Sequence, residues 1–200
     1  MYAITPTKLH PLWYSPYIPV HFFVSAVAAG LSMVIVEGMF SHKAFHHQVQ
    51  ISNEQFERIN LGLGKAGAVA LAIYTAIKLL SLSLDDKWHL LGTSWGAWYL
   101  VELVGFVLLP CFLFTVGYRE SKVLFVRIAA VITVIGIILN RFNVSFIAFN
   151  YDLPSEHRYV PHWMEIWVSV ALVTFGVVMF RWIANRMPIM YEHPDWKDEH

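Results

Sequence analysis

The sequence contains few cysteines and few charged residues. Of its 200 residues one is a cysteine, Cys111, and 14% are charged, against about 25% in soluble domains. A single cysteine excludes an internal disulfide and a thiolate-held zinc or iron–sulfur site within the chain. The 14 basic and 14 acidic residues balance and form no basic run, which excludes nucleic acid as a partner.

Apolar sequence is abundant instead, at 57% hydrophobic and 16% aromatic residues. A helix needs about 20 mainly apolar residues to cross the hydrocarbon core of a membrane. Five stretches qualify: roughly Pro16 to Phe40, Lys65 to Leu84, Trp95 to Val116, Lys122 to Ile147 and Met164 to Ala184. The first is too long for the core of a signal peptide, so we expect it to remain in the mature protein. The sequence predicts an all-α integral membrane helical bundle of about five transmembrane helices, in one domain covering residues 1–200.

The orientation follows from lysine and arginine, because cytoplasmic loops carry more of them. One side of the predicted membrane has three: Lys8, Lys87 and Arg158. The other side has eight: Lys43, Arg58, Lys65, Arg119, Lys122, Arg181, Arg186 and Lys197. This predicts a multi-pass protein of the inner (cytoplasmic) membrane with a periplasmic N-terminus and a cytoplasmic C-terminus.

Two local features refine this prediction. Ser52 and Gln55 have the spacing of a capping box, which indicates a helix that begins in the first loop and runs into the second span. Pro110 is predicted to kink the third span. His42 and His46 share a helical face, but no third ligand completes a metal site, so none is predicted.

Arg141 directly follows a long apolar run and should lie in the membrane or at its edge. A charge at bilayer depth costs between about 2.5 and well over 10 kcal/mol, so it usually faces the bundle interior, a partner or water. The predicted topology gathers further polar groups in the same outer half, namely Asn140, Asn143, His21, Glu102, Tyr159, His162 and Glu165. Glu37 lies near the inner end of the first span.

A structural explanation of these residues stays open. Arg141 could pair with Glu102 or Glu165 to hold helices together, and Glu165 at a helix start is favoured by the helix dipole alone. Lys78 and Arg127 are predicted to extend towards the membrane surfaces and to be structural.

The predicted cluster suits a quinone. A quinone headgroup needs a donor at each carbonyl oxygen and a route for two protons, and desolvated carboxylates suit proton relay. Arg141, Glu102, His21, Tyr159, His162 and Glu165 are the candidates for this environment, with Glu37 on a path towards the cytoplasm. Haem is not expected, because only His21 lies well inside a span and haem requires axial histidines on facing helices.

Several motifs resemble a known family. They are the Asn140-Arg141 pair, the Phe149-Asn150 turn, the stretch Tyr159 to Glu165, the ending Arg186 to Pro188 and, in the first span, Trp13, Pro16, Pro19 and Glu37. Together they resemble the NrfD/PsrC/HybB family of membrane subunits, the start being similar to its HybB branch. The chain resembles the later half of a family whose members usually have two four-helix bundles, and His162 stands where the family often has Ser.

The resemblance implies a quinone-reactive membrane subunit of a respiratory oxidoreductase without a redox metal of its own. It implies a periplasmic, ferredoxin-like iron–sulfur partner, linked in the HybB branch to a nickel–iron hydrogenase and elsewhere to another periplasmic oxidoreductase. A second membrane chain or a self-dimer would supply the missing half, in contact with lipid. The leading hypothesis is electron transfer between this partner and menaquinone or another quinone. The alternatives are a structural membrane anchor whose sister chain does the quinone chemistry, and a small proton-coupled transporter.

Overall fold

The computed structural model describes residues 10–44, 53–148, 161–184 and 186. The chain divides into two compact units, Met1–His157 and Arg158–His200, and each is described by itself. The first contains α1 (Ile18–Ala44), α2 (Asn53–Leu84), α3 (Ser94–Leu103), α4 (Leu109–Arg119) and α5 (Val123–Phe142). The second contains α6 (Trp163–Ala184). The single-domain organisation stays a prediction.

The predicted spans are confirmed as helices, and the described residues contain no strand. Five helical segments are long and apolar enough to cross a membrane: Ile18–Lys43, Glu54–Leu84, Ser94–Arg119, Val123–Ile147 and Trp163–Ile183. The helix predicted before the second span is also present, because α2 begins at Asn53 and runs without a break to Leu84. Ser52 of the predicted capping box lies outside the described residues.

The first unit is a bundle of four spans packed against one another. α1 packs on α2 and α5, and α4 packs on the same two helices. α1 and α2 are antiparallel, since His21 lies beside Tyr74 at one end and Gly38 beside Phe56 at the other. We call the end that carries Trp13, Trp88, Trp95 and Trp98 the Trp-rich end; α1 and α3 begin there and α2 and α5 end there.

Close helix packing dominates the half of this unit away from the Trp-rich end. Phe114 of α4 is completely buried and lies against Gly67 of α2, where an added Cβ would be 3.3 Å from its ring. At Gly117 an added Cβ would lie 2.8 Å from a Val126 methyl. Small residues allow membrane helices to approach this closely.

The third span is not one uninterrupted α-helix. A π-helical turn, Val104–Leu108, separates α3 from α4 and ends two residues before Pro110. Proline has no N–H and clashes with the carbonyl four residues earlier, and the wider turn lies where that clash would occur. The kink predicted at Pro110 stays a prediction. A second π-helical turn, Asn143–Ile147, continues α5. The first turn begins two residues after Glu102, and the second begins at Asn143.

The second unit starts with a capped helix. His162 Nδ1 accepts a 3.4 Å hydrogen bond from the Met164 N–H, and Glu165 lies in the first turn of α6, where a negative charge complements the helix dipole. At the other end the Arg186 guanidinium lies 4.4 Å from the Trp182 ring centroid.

Candidate functional site

The carboxylate of Glu102 is the centre of the site. Glu102 lies in α3 and is only 3% exposed. Its Oε1 accepts hydrogen bonds from Lys78 Nζ at 2.8 Å and from Asn140 Nδ2 at 2.6 Å. Its Oε2 accepts from Asn143 Nδ2 at 2.7 Å and from Trp13 Nε1 at 3.2 Å. We call these five residues the Glu102 cluster.

Lys78 supplies the positive charge of this cluster. Its side chain is 7% exposed, and its Nζ lies 4.8 Å from the Tyr99 ring centroid and 5.5 Å from that of Tyr74. A buried ammonium group is costly without a partner, and the carboxylate together with two aromatic faces provides one. The prediction that Lys78 extends to the membrane surface was therefore wrong.

The segment before α1 covers the Trp-rich end and delivers Trp13 to the cluster. The His10 N–H donates to the Ala148 carbonyl at 3.0 Å, which joins this segment to the end of the fourth span. The Ser81 hydroxyl donates to Ser15 Oγ at 2.6 Å. Trp13 packs edge-on against Tyr99, with ring centroids 5.9 Å apart. Trp13 therefore contributes to a buried site as well as to the Trp-rich end.

The two asparagines come from one face of the fourth span. Asn140 and Asn143 are three residues apart, a spacing that places side chains on the same side of a helix. The π-helical turn begins at Asn143. The Trp98 Nε1 donates to Asn143 Oδ1 at 3.2 Å, so the amide bridges an indole and the carboxylate.

Arg141 does not join the Glu102 cluster. Its Nη2 donates to Ser25 Oγ at 3.0 Å, and its guanidinium carbon lies 3.6 Å from the Phe22 ring centroid. Its Nη1 is buried and has no hydrogen-bond partner within the part of the chain that the structure describes. The alternative in which Arg141 pairs with Glu102 was wrong, because Lys78 takes that place.

A polar cavity of about 40 Å³ lies beside the cluster, between the segment before α1 and the helices α1 and α2. Its polar lining includes His21, Tyr74, Lys78, Tyr99 and Asn140. The ring of His21 lies 6.1 Å from that of Tyr74, and its buried Nε2 has no hydrogen-bond partner among the described residues. A polar cavity of this size has room for water.

Tyr74 connects this cavity with a second one. The second cavity, of about 10 Å³, is lined by Ser25, Tyr74, Glu102 and Asn140, among others. Arg141 donates to Ser25, which lines this second cavity together with Tyr74. Tyr74 therefore lies next to both the His21 side and the Glu102 side of the site.

The remaining predicted residues lie elsewhere. Glu37 is exposed on α1, and Tyr159 lies outside the described residues. His162 and Glu165 belong to the second unit, where their described contacts are those of a helix start. No group of three or more metal-ligating side chains occurs within the described ranges.

Sequence reasoning missed Lys78, Tyr74, Tyr99 and the role of Trp13. One signal was present for the first two. The buried residues of α2 recur every three or four positions, at Leu71, Tyr74, Thr75, Lys78, Ser81 and Leu82. This spacing places Lys78 on the helix face that turns towards the bundle.

Comparison with known proteins gives the family. The family model described as polysulphide reductase, NrfD, matches residues 2–150. The chain belongs to the NrfD family. The prediction of this family is confirmed, and NrfD subunits generally interact with quinones in respiratory oxidoreductase complexes. Two of the motifs, at 159–165 and 186–188, lie beyond the matched residues, and the HybB branch stays a prediction.

A relative of this NrfD chain occurs in the Hildenborough strain of Nitratidesulfovibrio vulgaris and is described only as a protein. It is 50% identical over 201 residues, an alignment that covers 100% of this chain and 52% of the relative. The chain thus spans about half the length of the curated relative it matches. No solved structure matches this chain.

Proposed function

We propose that this NrfD-family chain is a quinone-interacting membrane subunit of a respiratory oxidoreductase, which passes electrons between a periplasmic iron–sulfur partner and menaquinone or another quinone. One observation carries the proposal. Two buried polar nitrogens without a hydrogen-bond partner among the described residues, His21 Nε2 and Arg141 Nη1, lie at the same end of the unit as Tyr74 and the Glu102 cluster. Unsatisfied buried polar groups in native structures usually have a ligand or water as partner.

The chemistry of these groups fits a quinone ring. Its carbonyl oxygens accept hydrogen bonds, which an arginine N–H and an imidazole N–H donate. Phe22, which is 36% exposed and stacks with Arg141, offers an aromatic face on the membrane side. The cavity of about 40 Å³ is too small for a quinone ring, and we propose that the quinone approaches from the membrane between α1 and α5.

Protons reach the quinone through the same groups. Reduction to a quinol takes up two protons with two electrons. Water in the cavity of about 40 Å³, together with the Tyr74 hydroxyl, links His21 to Glu102. Glu37 continues the route towards the cytoplasm, and the roles of Tyr159, His162 and Glu165 at the headgroup stay predictions from the sequence. Each of these roles is part of the proposal.

The partners follow from the family. The proposed electron partner is a ferredoxin-like iron–sulfur subunit of a nickel–iron hydrogenase of the HybB type or of another periplasmic oxidoreductase. The resemblance to the family also implies a second membrane chain or a second copy as a partner, and we retain this as part of the proposal. A mass-spectrometric census of the complex purified from membranes tests both expectations.

The site is tested by quinol-linked turnover of the purified complex. Arg141→Ala and Glu102→Gln should each abolish turnover with a soluble menaquinol analogue while the complex still assembles. Tyr74→Phe, which retains the ring, should slow it. Arg127→Ala is the matched control, since Arg127 lies on the same helix α5 away from the Trp-rich end. Wild-type turnover in both Arg141→Ala and Glu102→Gln contradicts the site.

One observation favours a structural anchor as the second candidate function. Both oxygens of Glu102 already have two donors each from the chain itself, which is what a helix-holding carboxylate needs. A photoreactive quinone analogue distinguishes the two functions. Labelling near Phe22 supports the quinone site, whereas labelling confined to a second membrane chain supports the anchor.

A further inference from the structure

A shallow groove lies on the surface of the first unit between α2 and α4, away from the Trp-rich end. Its volume is about 270 Å³, close to the lower limit of about 300 Å³ for small-molecule pockets. The floor is formed by the small side chains of Ala68, Ala72, Cys111 and Thr115, and one end by Lys65 and Tyr118. None of these residues belongs to the proposed quinone site.

The basic end of the groove lies at the level of the membrane surface. Lys65 reaches across from α2, and its Nζ lies 5.2 Å from the ring centroid of Tyr118. Tyr118 is the last residue but one of α4, which ends at Arg119 before the chain turns into α5 at Val123. Tyrosine at the end of a span is typical of the headgroup level. We therefore expect the ammonium group at the level of the lipid phosphates.

The apolar part of the groove runs from that level into the hydrocarbon. Ala68 and Ala72 follow Lys65 by one and two turns of α2. On the facing helix Cys111 precedes Tyr118 by two turns, and its Sγ lies 3.5 Å from the Ala68 carbonyl oxygen. Seven residues of helix span about 10 Å. The groove thus has the length and direction of the upper part of a lipid chain.

The charges around the groove favour an anion. No carboxylate lines it, and within the described ranges Lys65 has no acidic partner at salt-bridge distance. Arg119 and Lys122 are exposed on the adjoining turn, although Lys122 pairs with Glu120. Lysine and arginine pockets between membrane helices bind the headgroups of anionic lipids.

We infer that this groove binds one anionic phospholipid, with its phosphate at Lys65 and the start of one acyl chain along Ala68 and Ala72. Small residues alone also suit a neighbouring membrane helix. The lone ammonium group at the surface end distinguishes the two occupants, because a lipid phosphate neutralises it and an apolar helix does not. The inference does not depend on the proposed quinone function.

Native mass spectrometry of the purified complex tests this inference. The complex is exchanged into nanodiscs of palmitoyl-oleoyl phosphatidylglycerol or phosphatidylcholine, and retained lipid is counted after release into detergent. Wild type should retain phosphatidylglycerol in preference to phosphatidylcholine. Lys65→Gln should lower that preference about five-fold, the effect of one cation near an anionic lipid. Ala72→Leu, which fills the groove, should reduce retention of both lipids.

Two control variants match these changes. Lys122→Gln removes a cation at the same level outside the groove lining, and Ala76→Leu enlarges an exposed alanine of α2 that does not line it. Both should retain lipid as wild type does. Equal retention in Lys65→Gln and Lys122→Gln overturns the inference. Capture of a membrane protein rather than phospholipid by a photo-crosslinking residue at position 72 also overturns it.

Discussion

The two halves of the first unit are held together in different ways. At the Trp-rich end four donors from separate parts of the chain converge on Glu102. In the other half glycines of α2 and α4 admit Phe114 and Val126 at close range. That half also contains buried polar atoms without a partner among the described residues: Ser32 Oγ, Asn60 Nδ2 and Arg127 Nε.

This difference shows how a membrane bundle gains specificity. Lipid is as apolar as the helix surfaces, so burial of apolar area does not by itself drive helices together. Close packing and interhelical hydrogen bonds are the remaining sources of stability. In this unit hydrogen bonds dominate at the Trp-rich end, and close packing dominates in the other half. A polar centre fixes which helices meet, because only one arrangement satisfies all its donors and acceptors. The packed half depends mainly on shape.

Breaking the charge pair should have the largest effect. Glu102→Leu leaves the Lys78 ammonium buried without its carboxylate, and loss of one member of a buried pair costs about 3–5 kcal/mol. Adding Lys78→Met should recover part of this loss, because the uncompensated charge is then removed. Unfolding of the purified protein in mixed detergent, followed by circular dichroism, measures the free energy of unfolding of each variant.

The exposed pair Glu120–Lys122 provides the comparison for this experiment. Both side chains are at least half exposed, at 50% and 58%, and exposed pairs contribute about 0–1 kcal/mol. Glu120→Leu should therefore change the free energy of unfolding little. The polar centre would not be the main support of its end if Glu120→Leu cost as much as Glu102→Leu.

Adding side-chain atoms to the packed half should have an intermediate effect on the stability of the protein. An added Cβ at Gly64 would lie 2.9 Å from Val126 Cγ1, and overpacking of this kind costs about 1–3 kcal/mol. At Gly62, two residues earlier on α2, it would meet nothing within 4 Å, and Gly→Ala inside a helix gains about 0.5–1 kcal/mol. Gly64→Ala should lower the melting temperature and Gly62→Ala should raise it. Equal shifts would show that close approach of α2 and α5 is unimportant.

Acidification should loosen the cover of the Trp-rich end, with the smallest effect of the three. Burial lowers the pKa of His10 below its usual 6.5, and its Nδ1 accepts a hydrogen bond from the Leu12 N–H at 3.2 Å, so the folded state favours the neutral ring. A depressed pKa stabilises the fold above the unfolded-state value, and this stability is lost as the pH falls through the folded-state value.

The measurement is the melting temperature of the purified protein between about pH 7.5 and about pH 5, the range in which histidine titrates. His10→Gln should reduce the fall below pH 6.5. His89→Gln is the control, because His89 is exposed in the short helix Trp88–Gly92. A full pH response in His10→Gln would assign the loosening to another group.

Much of the fold could be predicted because membrane spans are long and apolar. Side-chain partners were harder to predict. A lysine six residues from the end of an apolar stretch, such as Lys78, is long enough to reach either the surface or the interior, and only the meeting of α2 with α3 decides between them. The role of Trp13 could not be predicted either, because tryptophans are common at membrane interfaces and its partner Glu102 is distant in sequence. Arg141 was placed correctly near a span end, but its contacts on α1 depend on tertiary packing.

The pairing of Lys78 with Glu102 leaves the Glu102 cluster without net charge. A proton that arrives at the carboxylate removes this balance and leaves a lone ammonium cation deep in a medium of low polarity. Its field would then act on whatever occupies the neighbouring space, drawing anionic species inward and repelling further protons.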